Sequence, residues 1–219
     1  MSQIQNDFDL IAQLSPARAR VGPYEAWLLA NVPRGKRAAL EIGCGVGDVS
    51  RRLSDAFEHV DAIDFSPGMI AEAKRRTTSD AAIEYVCTDM FEWLATHPNA
   101  YDCIVSIATL HHVDLDAALV AMSQALKPGG MLLVIDLCAR DGWRNMPINA
   151  FAKFVALARE VIVNRGLMPW KLRRAYWQHG RNETYLSVSE VERIAHARLP
   201  GAEVRGRLLW RYTIRWRKS

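Results

Sequence analysis

Glu41-Ile42-Gly43-Cys44-Gly45-Val46-Gly47 decides how this chain is read. The apolar run Ala38-Ala39-Leu40 precedes it, and Asp48-Val49-Ser50-Arg51-Arg52-Leu53 follows with the character of a helix start. Strand, glycine turn and helix in that order make a nucleotide-binding corner, because glycines turn tightly and let a ligand approach bare backbone. The spacing is G-x-G-x-G, with an acid two positions ahead of the first glycine. Dinucleotide enzymes use G-x-G-x-x-G, in which the third glycine packs helix on strand. An NAD-dependent dehydrogenase therefore stands as an alternative that the spacing disfavours.

Outward from this corner, apolar runs recur at 38–42, 60–63, 83–87, 101–108 and 131–137. Helical patterns fall between them at 48–57, 67–76 and 115–126, with a short one near 90–95. Continuous apolar strands alternating with helices predict a parallel sheet covered on both faces. Lys127-Pro128-Gly129-Gly130 is expected to end a helix and turn into the fifth strand. Upstream, residues 4–14 and 24–31 predict two helices, broken at Ser15-Pro16 and Gly22-Pro23. After Leu137 the alternation stops for about fifty residues, within which 149–164 predicts a helix with Phe151, Phe154, Val155, Ala158 and Ile162 on one stripe. A helix at 189–198 and two strands at 202–208 and 211–217 close the chain. No helix separates those strands, so they should form an antiparallel hairpin.

At 219 residues and 50% hydrophobic, the chain suits one sizeable domain, 1–219. No apolar stretch is long enough to span a bilayer, and Met1–Asp7 lacks the basic and apolar regions of a signal peptide. A cytoplasmic protein is expected. Cys44, Cys87, Cys103 and Cys138 show no C-x-x-C pairing and predict buried free thiols, not a zinc site or disulfide framework. The net charge of +4 hides an asymmetry. Residues 1–137 hold 11 Lys and Arg against 18 Asp and Glu, whereas 138–219 hold 17 against 6. The basic part could meet an anionic partner, or it could be a solvated face of the terminal hairpin.

The glycine loop, the acid Asp64 ending the second strand 17 residues beyond Gly47, and the Leu126–Gly130 turn resemble the class I S-adenosylmethionine (SAM) methyltransferases. The resemblance is closest over 38–137 and extends to 187–217. It implies an α/β fold: a doubly wound, seven-stranded, mostly parallel sheet with strand 7 antiparallel between strands 5 and 6. A helical cap would occupy 1–37, and an insert at 138–186 would build the acceptor pocket or lid. SAM would be the cofactor, S-adenosylhomocysteine the product, and no metal would be needed. Gly43, Gly45 and Gly47, with Cys44 among them, would admit the methionine and ribose portions. Glu41 would hold the loop through backbone N–H groups or reach the cofactor's ammonium. Asp64 would accept both ribose hydroxyls, with Phe65 and Met69 packing on the adenine. Asp89 resembles the residue that accepts from the adenine amino group, and Met90 would offer its backbone N–H to the ring. Ser106, Ile107 and Ala108 would line the methionine moiety, and Tyr24 lies in the capping segment. Plainer readings stand beside these. Glycines after strands are often turn formers, strand-end acids are often helix caps, and Met90 could be core.

Methyl transfer from a sulfonium is an in-line displacement, and holding donor and acceptor in line can itself supply roughly 7–11 kcal/mol. A hydroxyl or acidic carbon acceptor needs a general base as well, whereas a neutral amine does not. His112, placed ahead of His111, is the candidate base in Leu110-His111-His112-Val113-Asp114, since histidine suits proton abstraction near neutrality. Either histidine could instead order the loop or cap the next helix. Within the insert, Trp143, Arg144, Tyr176, Trp177 and His179 are the candidate acceptor-binding residues, with Asp136 and Asp141 also chemically expressive. The stretch Trp170–Trp177 could clamp an anionic or aromatic acceptor, or form an amphipathic helix.

A small-molecule acceptor is the leading expectation, because the chain shows no appended recognition domain. RNA or protein methylation is the second reading, prompted by the basic C-terminal part but lacking an RNA-binding module or an N/D-P-P-Y/F motif. A SAM-binding regulatory or assembly protein without catalysis is the third. Lys153, Arg159 and Arg165 would tolerate an anionic membrane surface.

Overall fold

The computed structural model describes residues 3–14, 23–79, 81–139 and 184–219, together with 150, 151, 154, 170 and 174. Two helices, α1 (Gln3–Leu14) and α2 (Pro23–Asn31), come first. Then follow β1 (Lys36–Ile42), α3 (Ser50–Leu53), β2 (Phe57–Asp64), α4 (Pro67–Arg76), β3 (Ile83–Cys87) and α5 (Met90–Thr96). The chain continues with β4 (Tyr101–Ile107), a 3-10 turn at Leu110–His112, α6 (Leu115–Ala125) and β5 (Leu126–Leu137). Beyond the insert lie α7 (Val188–Arg198), β6 (Glu203–Arg207) and β7 (Arg211–Arg217).

The strands form one sheet in the order β3-β2-β1-β4-β5-β7-β6. The first five are parallel, and β7 runs antiparallel between β5 and β6, as expected. The register brings Ile42 beside both Ile63 and Ser106, and Ile107 beside Ile135, so the strand ends align. Strand order reverses between β1 and β4, and a crevice outside the carboxyl ends at that reversal is where such sheets bind ligands.

Two apolar cores sandwich the sheet. One joins β1, β4 and β5 to Leu28 of α2 and Leu53 of α3. The other packs the opposite face against α5, α6 and α7. Helix α6 shows why these residues form it. Leu115, Ala118, Leu119, Met122 and Ala125 recur at helical spacing and are buried, and Asp114 caps the N-terminus by accepting from Ala117 N. Burying one such large apolar side chain contributes about 1.5–3 kcal/mol. Ser187 and Glu190 form a capping box that starts α7.

Three expectations need correction. The helix expected at 48–57 is shortened to Ser50–Leu53, because turns flank it and β2 already begins at Phe57. Lys127–Gly130 lies inside the span of β5, which starts at Leu126 and shifts register between Tyr101 and Cys103. Cys87 is exposed at the end of edge strand β3, whereas the other three cysteines are buried and all four are free thiols. The predicted helix at 149–164 and most of the 138–186 insert lie outside the described residues. Among the described residues no helix is long and apolar enough to cross a membrane.

Candidate active site

The glycine loop is stitched to its neighbours by backbone: Gly43 N and Cys44 N both donate to Ile63 O, at 2.9 and 3.0 Å. Gly43 has φ +73°, and a Cβ there would lie 2.0 Å from Thr109 Oγ1. Gly47 has φ +77°, and its Cβ would lie 2.4 Å from the Tyr85 hydroxyl oxygen. The protein's own side chains therefore fill the space beside the first and third glycines. Beside Gly45 the only neighbour among the described residues within 4 Å of a Cβ would be Met69 Sδ, at 3.9 Å. The middle glycine offers the open backbone.

Asp64 ties this loop to the next turn. Its Oδ2 accepts from Gly45 N and its Oδ1 from Ser66 N, both at 2.9 Å. The Phe65 backbone N–H also acts on this carboxylate, and with about four lone-pair sites it retains some acceptor capacity. Burial raises the Asp64 pKa, and the backbone N–H bonds oppose that rise. An open glycine backbone beside a strand-end carboxylate with spare acceptor capacity fits the ribose and methionine portions of SAM.

Glu41 is buried and accepts from Ser50 Oγ at the start of α3, so its partner among the described residues is a side chain and not the loop backbone. Burial pushes its carboxyl up to about 8, with Asp48 and Asp64 adding to the rise while Ser50 and Arg51 oppose it. With the folded value above the ordinary 4.5, the native state binds the extra proton between these two values. Stability of the ligand-free protein should then be full below that window and fall as pH rises through it, by up to about 1.4 kcal/mol per unit for this group. Asp64 adds a contribution of the same sign. Thermal unfolding of wild type and Glu41→Gln across this range checks it. The variant should show a flatter dependence, and an equally steep one would count against the assignment.

The other expected cofactor residues divide. Phe65 is 37% exposed, with its ring edge-on to Phe8 of α1 at 5.5 Å. Met69 is buried beside Ile11 and Ala12. The Cys44 side chain packs among Ala62, Ile70, Ala73 and Tyr85, leaving its backbone as the part near the loop. Asp89 caps α5, its carboxylate accepting from Phe91 N and Glu92 N. The Met90 side chain joins the core. Ser106 is buried, and its Oγ donates to Ile42 O at 3.1 Å, tying β4 to β1. Ile107 is half-buried against the core under α2. Tyr24 packs on that same core, and its hydroxyl donates to Leu208 O in the β6–β7 turn. Trp143, Arg144, Tyr176, Trp177 and His179, as well as Asp141, lie outside the described residues.

The two histidines differ sharply. His111 N donates to Asp136 Oδ2 at 2.8 Å, and its Nδ1 meets Asp136 Oδ1 at 2.7 Å. Asp136 is fully buried in β5, and the His111 side chain is 6% exposed. The turn that presents His111 is held by both local contacts and contacts to β5. Ala108 takes φ +53° and donates to Ile135 O, Thr109 Oγ1 donates to Ile107 O, and Leu110 is buried as the anchor. With Nδ1–H donating to the Asp136 carboxylate, Nε2 is the ring nitrogen left free of that contact. The His111 ring also lies 3.9 Å from His112 and 5.4 Å from Tyr185, where the chain returns from the insert. Ala139 N donates to Leu186 O, so the two described ends of this stretch meet near this pair.

Sequence reasoning missed several participants. Asp9 of α1 accepts from Ser66 Oγ at 2.6 Å and Gly68 N at 2.9 Å. Phe8 stands edge-on to His112 as well as Phe65, so α1 bridges the turns after β2 and β4. No sequence signal marked Asp9, Thr109 or Tyr85. Asp136 did have one, a lone acid in the apolar run Leu132-Leu133-Val134-Ile135-Asp136-Leu137. Elsewhere, His59, Asp61 and Glu84 bring ligand-type atoms within 4.8 Å of one another. The His59–Asp61 pair at 2.8 Å and the Tyr101 hydroxyl donating to Asp61 at 2.7 Å account for two of the three as structural contacts.

Comparison with known proteins fits this geometry. Residues 40–134 match the methyltransferase domain family. An uncharacterised methyltransferase of Mycobacterium tuberculosis is 30% identical over 202 residues, which cover 89% of this chain and 93% of that protein. A ubiquinone biosynthesis O-methyltransferase of Xylella fastidiosa is 34% identical over 110 residues, 49% of this chain and 45% of that enzyme. Among solved structures, the N-methyltransferase NodS from Bradyrhizobium japonicum, in complex with S-adenosylhomocysteine, aligns with a TM-score of 0.63. It is 19% identical over 99% of both chains, a likeness of fold.

Proposed function

The chain belongs to the class I SAM-dependent methyltransferases, and from that premise we propose that it methylates a hydroxyl oxygen of a small molecule, with His111 as the general base. When bound, SAM supplies an electrophilic methyl group on a sulfonium. The loop backbone at Gly45 and the carboxylate of Asp64 would hold it, with Phe65 at the same rim. The observation that carries the reading is the His111–Asp136 contact of 2.7 Å. An amine acceptor would need no base, and a histidine backed by a buried carboxylate suits removal of a hydroxyl proton. Asp136 holds the ring in one tautomer and stabilises the imidazolium formed when Nε2 takes that proton. Roughly 10²–10⁴ in rate is the usual contribution of such a base. The O-methyltransferase relative supports the same direction, though this chain spans less than half of its length.

The test is a panel of phenols, aliphatic alcohols, amines and carboxylic acids incubated with methyl-labelled SAM, with products located by mass spectrometry. Methylation on a hydroxyl oxygen is expected. Products formed only on nitrogen would remove the need for the base. Tight SAM binding with no turnover of any class would favour a non-catalytic SAM-binding role.

A further inference from the structure

The arginine excess of the C-terminal part takes a definite form in the β6–β7 hairpin. Residues paired directly across antiparallel strands share a face, and the register pairs Glu203 with Arg215, Arg205 with Thr213 and Arg207 with Arg211. Alternation along β7 adds Arg217 to that face. Met131, Leu133 and Ile135 of β5 pair with Arg217, Arg215 and Thr213, and they belong to the core under α2. Five arginines thus sit on the α2 side of the hairpin with Glu203 as the only acid among the paired residues there. Asp136 and Tyr212 alternate onto the other face, so this surface is separate from the His111 site.

Between α2 and the hairpin lies a cleft of about 170 Å³ lined by Trp27, Asn31, Arg205, Arg207, Thr213 and Arg215, with Glu203 its one acid. Its arginines are already oriented. The Arg207 guanidinium lies 5.6 Å from the Trp27 ring centroid, and its Nε donates to Thr213 Oγ1 at 3.2 Å. Arg207 pairs with no carboxylate among the described residues. Arg205 and Arg215 share Glu203 at 3.6 and 3.4 Å, so one negative charge serves two cations. Arg211 is fixed in the same manner over Tyr24, 5.2 Å from its centroid. Guanidinium forks match the oxygen geometry of phosphate better than lysine ammonium does. Pockets for whole ligands run to about 300–1,000 Å³, so a space this small suits one charged group.

We propose that this cleft is a binding site for the phosphate group of a phosphorylated small molecule, held by Arg205, Arg207 and Arg215 with Asn31 and Thr213 as neutral polar neighbours. A planar guanidinium held over an aromatic ring, as Arg207 is over Trp27, loses little freedom on binding, which favours a site over a merely solvated face. A lipid headgroup offers the same chemistry, and a vesicle arm separates the two sources.

The experiment is calorimetric titration of the full chain with inorganic phosphate and pyrophosphate at low ionic strength. Wild type should bind at least one of them with a dissociation constant below about 1 mM. Arg207→Ala and Arg205→Ala should each weaken binding by about tenfold or more. The exposed Arg205→Ala keeps the test informative if loss of the Trp27 contact unfolds the other variant, and Arg75→Ala on α4 controls for general loss of positive charge. Flotation with phosphatidylglycerol vesicles runs in parallel. Binding of free phosphate without vesicle capture supports the small-molecule source. Capture lost in the same variants transfers the site to a lipid headgroup and overturns that source. No binding of either anion, or binding equal in all variants, overturns the site. SAM affinity, measured separately, reports on the methyltransferase reading alone.

Discussion

His111→Ala is expected to lower kcat by about 10²–10⁴ while leaving SAM affinity within about twofold, because a general base acts in the transition state and not in cofactor binding. Asp136→Asn should move kcat in the same direction. An amide cannot accept at both of the oxygens that now receive His111 N and Nδ1, so the ring would lose its fixed tautomer. The decisive readout is kcat against pH, where the limb set by the base should vanish in His111→Ala. A structural role would show instead as a fall in melting temperature with kcat retained in the folded fraction. Near-normal turnover in His111→Ala together with a large loss in His112→Ala would reverse the assignment.

Asp64→Ala is expected to weaken SAM and S-adenosylhomocysteine binding by about 10²-fold or more. Two hydrogen bonds to a charged acceptor are worth roughly 1.5–3 kcal/mol each. The substitution also strips Gly45 N and Ser66 N of their acceptor, which loosens the loop itself. Asp64→Asn, retaining one acceptor oxygen, should fall between the two. Calorimetry with SAM, S-adenosylhomocysteine and NADH decides the matter. Undiminished SAM binding in the alanine variant would remove Asp64 from the site, and preferential NADH binding by wild type would undo its assignment to the sulfur nucleotides.

Much of the architecture was legible because parallel strands buried on both faces must be apolar throughout. Leu40, Ile42, Val60, Ile63, Ile104 and Val105 are almost wholly inaccessible, and the largely apolar runs they belong to mark the strands. Asp64 stands out by the same logic, as an acid closing such a run. Local pattern failed where a neighbour distant in sequence intervened. The helix after Gly47 is short because Phe57 already pairs with Lys36, and Cys87 is exposed at β3, the edge of the sheet among the described residues. The Tyr24 hydroxyl likewise donates to Leu208 O, 184 residues away, a contact that no local pattern announces.

Periodicity, turn residues and the glycine spacing act within a few positions of one another, so the sequence by itself determined the strand–helix alternation, the antiparallel closing hairpin and the nucleotide corner. Pairing across the fold was beyond it. Asp136 meets His111 across 25 residues, and Thr109 fills the space beside Gly43 from another strand end. The face on which the C-terminal arginines gather depends on the register of β5, β6 and β7. A one-residue slip would send them to the other side, so tertiary packing alone decided it.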